Sequence, residues 1–259
     1  MQKYDFTHGI RIPRHMILGY KSAESEEKIV DVPAHIFCAV FLSFATDKRC
    51  RCRFTFKEIK DTAGLTGSDR ANLKSGQMAR IANVLQEFIE NGILCIDKDS
   101  IYNYTFRETI DAQWFPDIDI NHYVYMDCNE YNTILEKDVG SNVMYDLYIY
   151  LYIKSRIWYR TSPSDSGAEC AKISQHELAA VIGCAQSTVS RSIARLIKEY
   201  NVIAGEAMPV LTTITSDGEL STYKPKNVYV LKKPGWQQEL EKGVEEYNLY
   251  LQDNVVIIE

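Results

Sequence analysis

The feature that most limits what this chain can fold into is a repeat of helical pattern 119 residues apart. "FTFKEIKDTAGL" (Phe54 to Leu65) aligns with "ISQHELAAVIGC" (Ile173 to Cys184). Each copy opens on an apolar residue followed by a capping-box pattern, Thr55-x-x-Glu58 and Ser174-x-x-Glu177, in which the hydroxyl accepts from the third helical amide and the Glu reaches back. Each short helix meets a glycine, Gly64 or Gly183, able to take the left-handed conformation that stops a helix. A longer amphipathic helix follows in both. Its stripe is Ile81, Val84, Leu85 and Phe88 in the first copy and Val189, Ile193, Leu196 and Ile197 in the second. The first copy carries about ten extra residues, "TGSDRANLKSG", between its helices.

After each helix pair the pattern changes to strand, turn, strand. In the first copy "ILCIDKDSIYNYTF" places Asp97 to Ser100 as the polar turn. In the second, "PVLTTITSDGELSTYKPKNVYVLKK" carries the hairpin signal Asp217-Gly218. Lys224 and Lys226 flank Pro225 near its second strand. An apolar segment precedes each unit: Pro33 to Thr46, read as a helix, and Ser141 to Tyr159, where length favours a helix over a strand. The order of helix, helix and β-hairpin is that of a winged helix. The fold expected is mainly α with small β wings (α+β), two winged-helix domains in tandem. The first domain is placed at 1–110, a linker at 111–122, the second domain at 123–234, and an acidic C-terminal helix at 235–259. That tail puts Trp236, Leu240, Val244, Tyr247 and Leu251 on one face, read as packing on its own domain.

Residues 173–203 resemble the helix-turn-helix of winged-helix regulators related to the catabolite-activator type. The resemblance rests on Leu178-Ala179, Gly183 and the run Thr188-Val189-Ser190-Arg191, and no cyclic-nucleotide domain accompanies it. It implies that Gln186, Ser187 and Arg191 point at base edges and that Thr188 touches phosphate, with Ser190 on the same recognition run. The N-terminal end of such a helix enters the major groove, where Arg can grip guanine and Gln adenine. Arg195, Lys198, Lys224 and Lys226 are expected to suit phosphates. In the first copy the corresponding candidates are Arg70, Lys74, Gln77, Arg80 and Asn83. Ala185 departs from the pattern, standing where those regulators carry a capping Ser, so the cap is lost or moved to Ser187. Tandem units in a chain of this size also resemble, in architecture alone, the replication initiators of bacterial plasmids and phages.

Charge neither supports nor excludes this reading. The net charge is −6, yet Asp47 to Ile81 holds nine Lys/Arg against four acids, and Trp236 to Glu259 one Lys against six. A basic front and an acidic tail can coexist with a DNA-facing surface. The alternation of Arg49, Arg51 and Arg53 with Cys50, Cys52 and Phe54 suits an edge strand with one basic face, either along a phosphate backbone or simply solvated. Seven scattered cysteines without metal spacing suggest reduced thiols and no metal or other cofactor. No secretory pattern opens the chain and no apolar run is long enough to span a bilayer, so a cytoplasmic protein without a membrane partner is expected. His8, His15, His35, His122 and His176 have no acidic or Cys partners at useful spacing, and no phosphate loop or nucleophile elbow is present, which argues against an enzyme. The function expected is sequence-specific binding of double-stranded DNA, in replication initiation on a plasmid or phage-like element. The alternatives are a transcriptional regulator and a winged-helix scaffold that binds protein rather than DNA. A homodimer is left open.

Overall fold

The computed structural model describes residues 9–21, 26–65, 73–115, 122–136, 143–162, 164–214 and 220–254. Helices and small antiparallel sheets alternate, and the chain divides into two compact units, Met1–Leu151 and Tyr152–Glu259.

The first unit begins with β1 (Ile10–Pro13) and the short α1 (Arg14–Ile17), then α2 (Val32–Ala45). Twelve of the fourteen residues of α2 are buried, so this helix is the unit's core, started by Asp31, whose carboxylate accepts from the Ala34 amide. Next come β2 (Arg51–Phe54), α3 (Phe56–Thr62) and α4 (Gly76–Glu90). The stripe Ile81, Val84, Leu85 and Phe88 is buried as its period requires. β3 (Leu94–Ile96), a 3-10 turn at Ile101–Asn103 and β4 (Ile110–Trp114) follow, then β5 (Tyr123–Met126) and α5 (Cys128–Glu136). The main sheet has the order β2-β4-β3, and β1 pairs with β5.

Two expectations change here. The strand expected after the polar turn 97–100 is replaced by the 3-10 turn, which Gln86 fixes by accepting from the Ser100 hydroxyl and the Ile101 amide. The true partner of β3 is β4, the central strand, four of whose residues (111–114) fall inside the expected linker. Its alternation buries Ile110, Ala112 and Trp114 and exposes Asp111 and Gln113. The acidic composition suggested a linker, but the one acid within β4, Asp111, lies on its outer face.

The division between the units falls within α6 (Val143–Arg156), which is helical as its length suggested. The second unit then runs β6 (Ala171–Ile173), α7 (Gln175–Ile182), α8 (Gln186–Lys198), β7 (Ile203–Glu206), β8 (Leu211–Ile214), β9 (Leu220–Tyr223), β10 (Asn227–Leu231) and α9 (Trp236–Asn254). Its sheet order, β6-β10-β7, repeats that of the first unit, with the same sequence of strand, helix, helix, strand and returning strand. β8 and β9 form a separate antiparallel ribbon. The hairpin signal Asp217-Gly218 lies outside the described residues. α9 packs on its own unit: Trp236, Leu240, Val244, Tyr247 and Leu251 join Val228, Val230 and Cys170 in one apolar cluster. No helix among the described residues is long and apolar enough to cross a membrane.

Candidate nucleic-acid interface

α7 and α8 are joined by three residues. Ser174 caps α7 by accepting from the Glu177 amide at 2.9 Å. Gly183 then takes φ 70° and ψ 35°, and both its own amide and that of Cys184 donate to the Ala179 carbonyl. That left-handed residue turns the chain sharply into α8. α8 begins at Ala185 with no side-chain cap, so the cap has not moved to Ser187. The Ala185 carbonyl accepts from Thr188 at 2.9 Å.

The inner face of α8 is Val189, Ser192, Ile193 and Leu196, all buried. Its outer face exposes Gln186, Ser187, Arg191 and Lys198, with Thr188, Ser190 and Arg195 half-buried at its margins. Arg191 Nε donates to the Ser187 carbonyl at 3.2 Å, which lays the guanidinium back along its own helix. Arg195 donates to Ser192 Oγ at 3.0 Å. Among the described residues neither Arg191 nor Lys198 has a carboxylate at ion-pair distance.

Beside the start of α8 lies a concavity of about 560 Å³, walled by Gln175 and His176 of α7, by Gln186, and by Val210, Lys224 and Asn227. Lys224 is exposed at its rim. Lys226 is differently placed: its Nζ sits 3.2 Å from Glu177 Oε2. Glu177 also accepts from the Tyr152 hydroxyl at 3.2 Å. The expected capping box is therefore half formed, because this carboxylate turns to Tyr152 and Lys226. The first copy forms both halves: Glu58 accepts from the Thr55 amide at 2.7 Å and the Thr55 hydroxyl accepts from the Glu58 amide at 3.1 Å.

The corresponding surface of the first unit differs in its chemistry. Arg80 is half-buried and grips Asp31 with two nitrogens, at 2.5 and 2.8 Å, while its guanidinium lies over the Tyr145 ring. The hydrogen bonds to Asp31 hold its pKa above the ordinary arginine value. Gln77 accepts from Arg80 at 2.7 Å, and Asn83 accepts from the Tyr102 hydroxyl at 2.5 Å. Lys74 is exposed just before α4, and Arg70 lies outside the described residues. Arg51–Phe54 of the basic run form an edge strand, as the alternation suggested, and the two cations of that strand are compensated, whereas Lys48 and Arg49 before it meet no carboxylate among the described residues. Arg51 pairs with Asp47 at 2.9 Å and Arg53 with Asp111 at 2.7 Å. The Asp47 carboxyl lies below its ordinary range, first because the Arg51 amide donates to it, and Asp111 does so because the Arg53 guanidinium donates to it.

The structure thus gathers Gln186, Ser187, Arg191 and Lys198 on one exposed face with Lys224 beside it. It leaves Arg80 engaged inside the first unit. Sequence reasoning missed Gln175 and Asn227, which wall the concavity. Their only sequence signal is a polar residue at the first position of a helix and of a strand. No family model matches the chain, and neither does a curated protein or a solved structure.

Proposed function

We propose that this chain binds duplex DNA sequence-specifically, as a tandem winged-helix protein, with α8 as the helix laid into the major groove. The observation that carries the reading is the outer face of α8, where Gln186, Ser187, Arg191 and Lys198 follow a three-residue turn and the cations are not neutralised by described carboxylates. Amide and guanidinium groups at the start of a helix are those that read base edges in the major groove, and cations farther along meet phosphates. The repeated order of helices and strands in the two units supports the tandem plan. Replication initiation on a plasmid or phage-like element is the biological role that this plan fits best; transcriptional regulation needs the same surface.

The engagement of Arg80 and Asn83 inside the first unit favours a division of labour in which α4 is not a second reading helix. The test is a gel shift with a random duplex pool at two salt concentrations. Selection of a sequence, with binding that weakens steeply as salt rises, is the expected result. Absence of binding at low salt would discard the reading in favour of a protein-binding scaffold.

A further inference from the structure

Ser190 stands immediately before Arg191 on α8, half-buried at the margin of the exposed face. Its Oγ donates to Gln175 Oε1 of α7 across 2.5 Å. Gln175 presents its carbonyl oxygen to Ser190 in this arrangement. Behind it Tyr229, buried on β10, accepts from Asn227 Nδ2 at 2.9 Å. The single proton of the Ser190 hydroxyl is then occupied within the protein. What the side chain retains is the pair of acceptor sites on its oxygen.

This polarity has a consequence for base selection, given the DNA reading above, on which it rests. In the major groove adenine and cytosine present exocyclic amino donors, while guanine and thymine present carbonyl acceptors. A serine free to rotate serves either kind of partner. One whose proton is held serves only donors. We propose that Gln175 is a specificity-determining positioning residue: by holding the Ser190 proton it makes Ser190 an acceptor, which selects adenine or cytosine at the base that Ser190 faces. Gln175 itself touches no base in this arrangement.

The test starts from sequences selected by the full chain and by Ser190→Ala. The position whose preference changes is the one Ser190 reads. Duplexes carrying each of the four bases there are then titrated against the wild type, Gln175→Leu and Gln175→Glu. The wild type should favour adenine or cytosine by roughly fivefold, the worth of one net hydrogen bond. Gln175→Leu releases the hydroxyl, and discrimination should fall to within about twofold. Gln175→Glu keeps an acceptor opposite Ser190, so it should retain the preference while lowering affinity for all four duplexes alike. Superimposable circular dichroism spectra of wild type and Gln175→Leu show that α7 is still folded. A wild-type preference for guanine or thymine, or full discrimination in Gln175→Leu, would overturn the inference. Selection of no sequence by the wild type is a different result, and it removes the DNA reading itself.

Discussion

At the scale of single residues, partners decide function more than residue type does. Arg80 and Arg191 both follow from the sequence as groove-facing arginines, yet one is bound to Asp31 and the other is exposed. Nothing local to Arg80 announces this, because Asp31 lies 49 positions away and meets it only when α2 and α4 pack. Arg191→Ala should therefore cost roughly 1–3 kcal/mol of DNA binding and relax preference at one position, measured by titrating duplexes that vary there. Unchanged affinity and selectivity would displace α8 as the reading helix. Burial gives His35 a different consequence. It sits inside α2 with its ring edge-on to Phe88 at 4.6 Å, and its Nδ1 has no hydrogen-bond partner among the described residues. Burial first, then the nearby Lys21, pushes its pKa down to about 4. The unfolded chain, with histidine near ~6.5, takes up the proton first as pH falls. Stability is thus full above about 6.5, declines as pH drops toward about 4, and by pH 5 has lost about 2 kcal/mol from this group. Urea unfolding at pH 7.5 and pH 5 should show that loss in the wild type and not in His35→Leu, against the background common to both. Parallel pH dependence in the two proteins would refute the assignment.

At the scale of elements, what was legible was whatever has a local period or a local stop. The apolar stripes of α4 and α8, the glycine between α7 and α8, and the alternation of β2 all stand where their patterns put them. β4 was not legible. Its Ile110, Ala112 and Trp114 alternate correctly, but Glu108 and Asp111 gave the segment the composition of a linker. Strand pairing is a long-range choice, and the burial offered by β2 and β3 outweighs local polarity. The capping box of α7 failed for a similar reason, since Tyr152 and Lys226 reach Glu177 from elements distant in sequence. The bare start of α8 invites a test. Ala185 has the extended φ −68°, ψ 142° of a cap, so Ala185→Ser should raise stability by about 1 kcal/mol, seen as a higher urea midpoint with unchanged slope. Gly183→Ala should act oppositely. No atom beyond its chain neighbours lies within 4 Å of the added methyl, so its cost is backbone strain, about 1–2 kcal/mol. A neutral effect would mean that the turn relaxes out of the left-handed region.

At the scale of the whole molecule, a net charge of −6 coexists with cations exposed on one helix face because the ion pairs are unevenly placed. In the first unit Lys21, Arg51, Arg53, Lys57, Arg80 and Lys98 all meet carboxylates. α9 brings acids to the second unit, but it uses Glu239 on Arg160 and on the Glu169 amide, and Glu246 on the Ala168 amide. On α8, Arg191 and Lys198 meet no carboxylate among the described residues. Two equal-looking copies in the sequence therefore become unequal in their electrostatics, and DNA binding should be unequal too. Lys224→Ala should weaken binding to every duplex alike and lower the slope of log affinity against log salt by about 1, the signature of one lost phosphate contact. The paired change Gln77→Ala and Asn83→Ala on α4 should leave both affinity and slope unaltered, because those side chains serve Arg80 and Tyr102. Were α4 also seated in a groove, that variant would lose preference at a second position of the selected site. Moving Arg80 from Asp31 to DNA would leave a half-buried carboxylate without its partner, an outlay that a backbone phosphate contact does not recover.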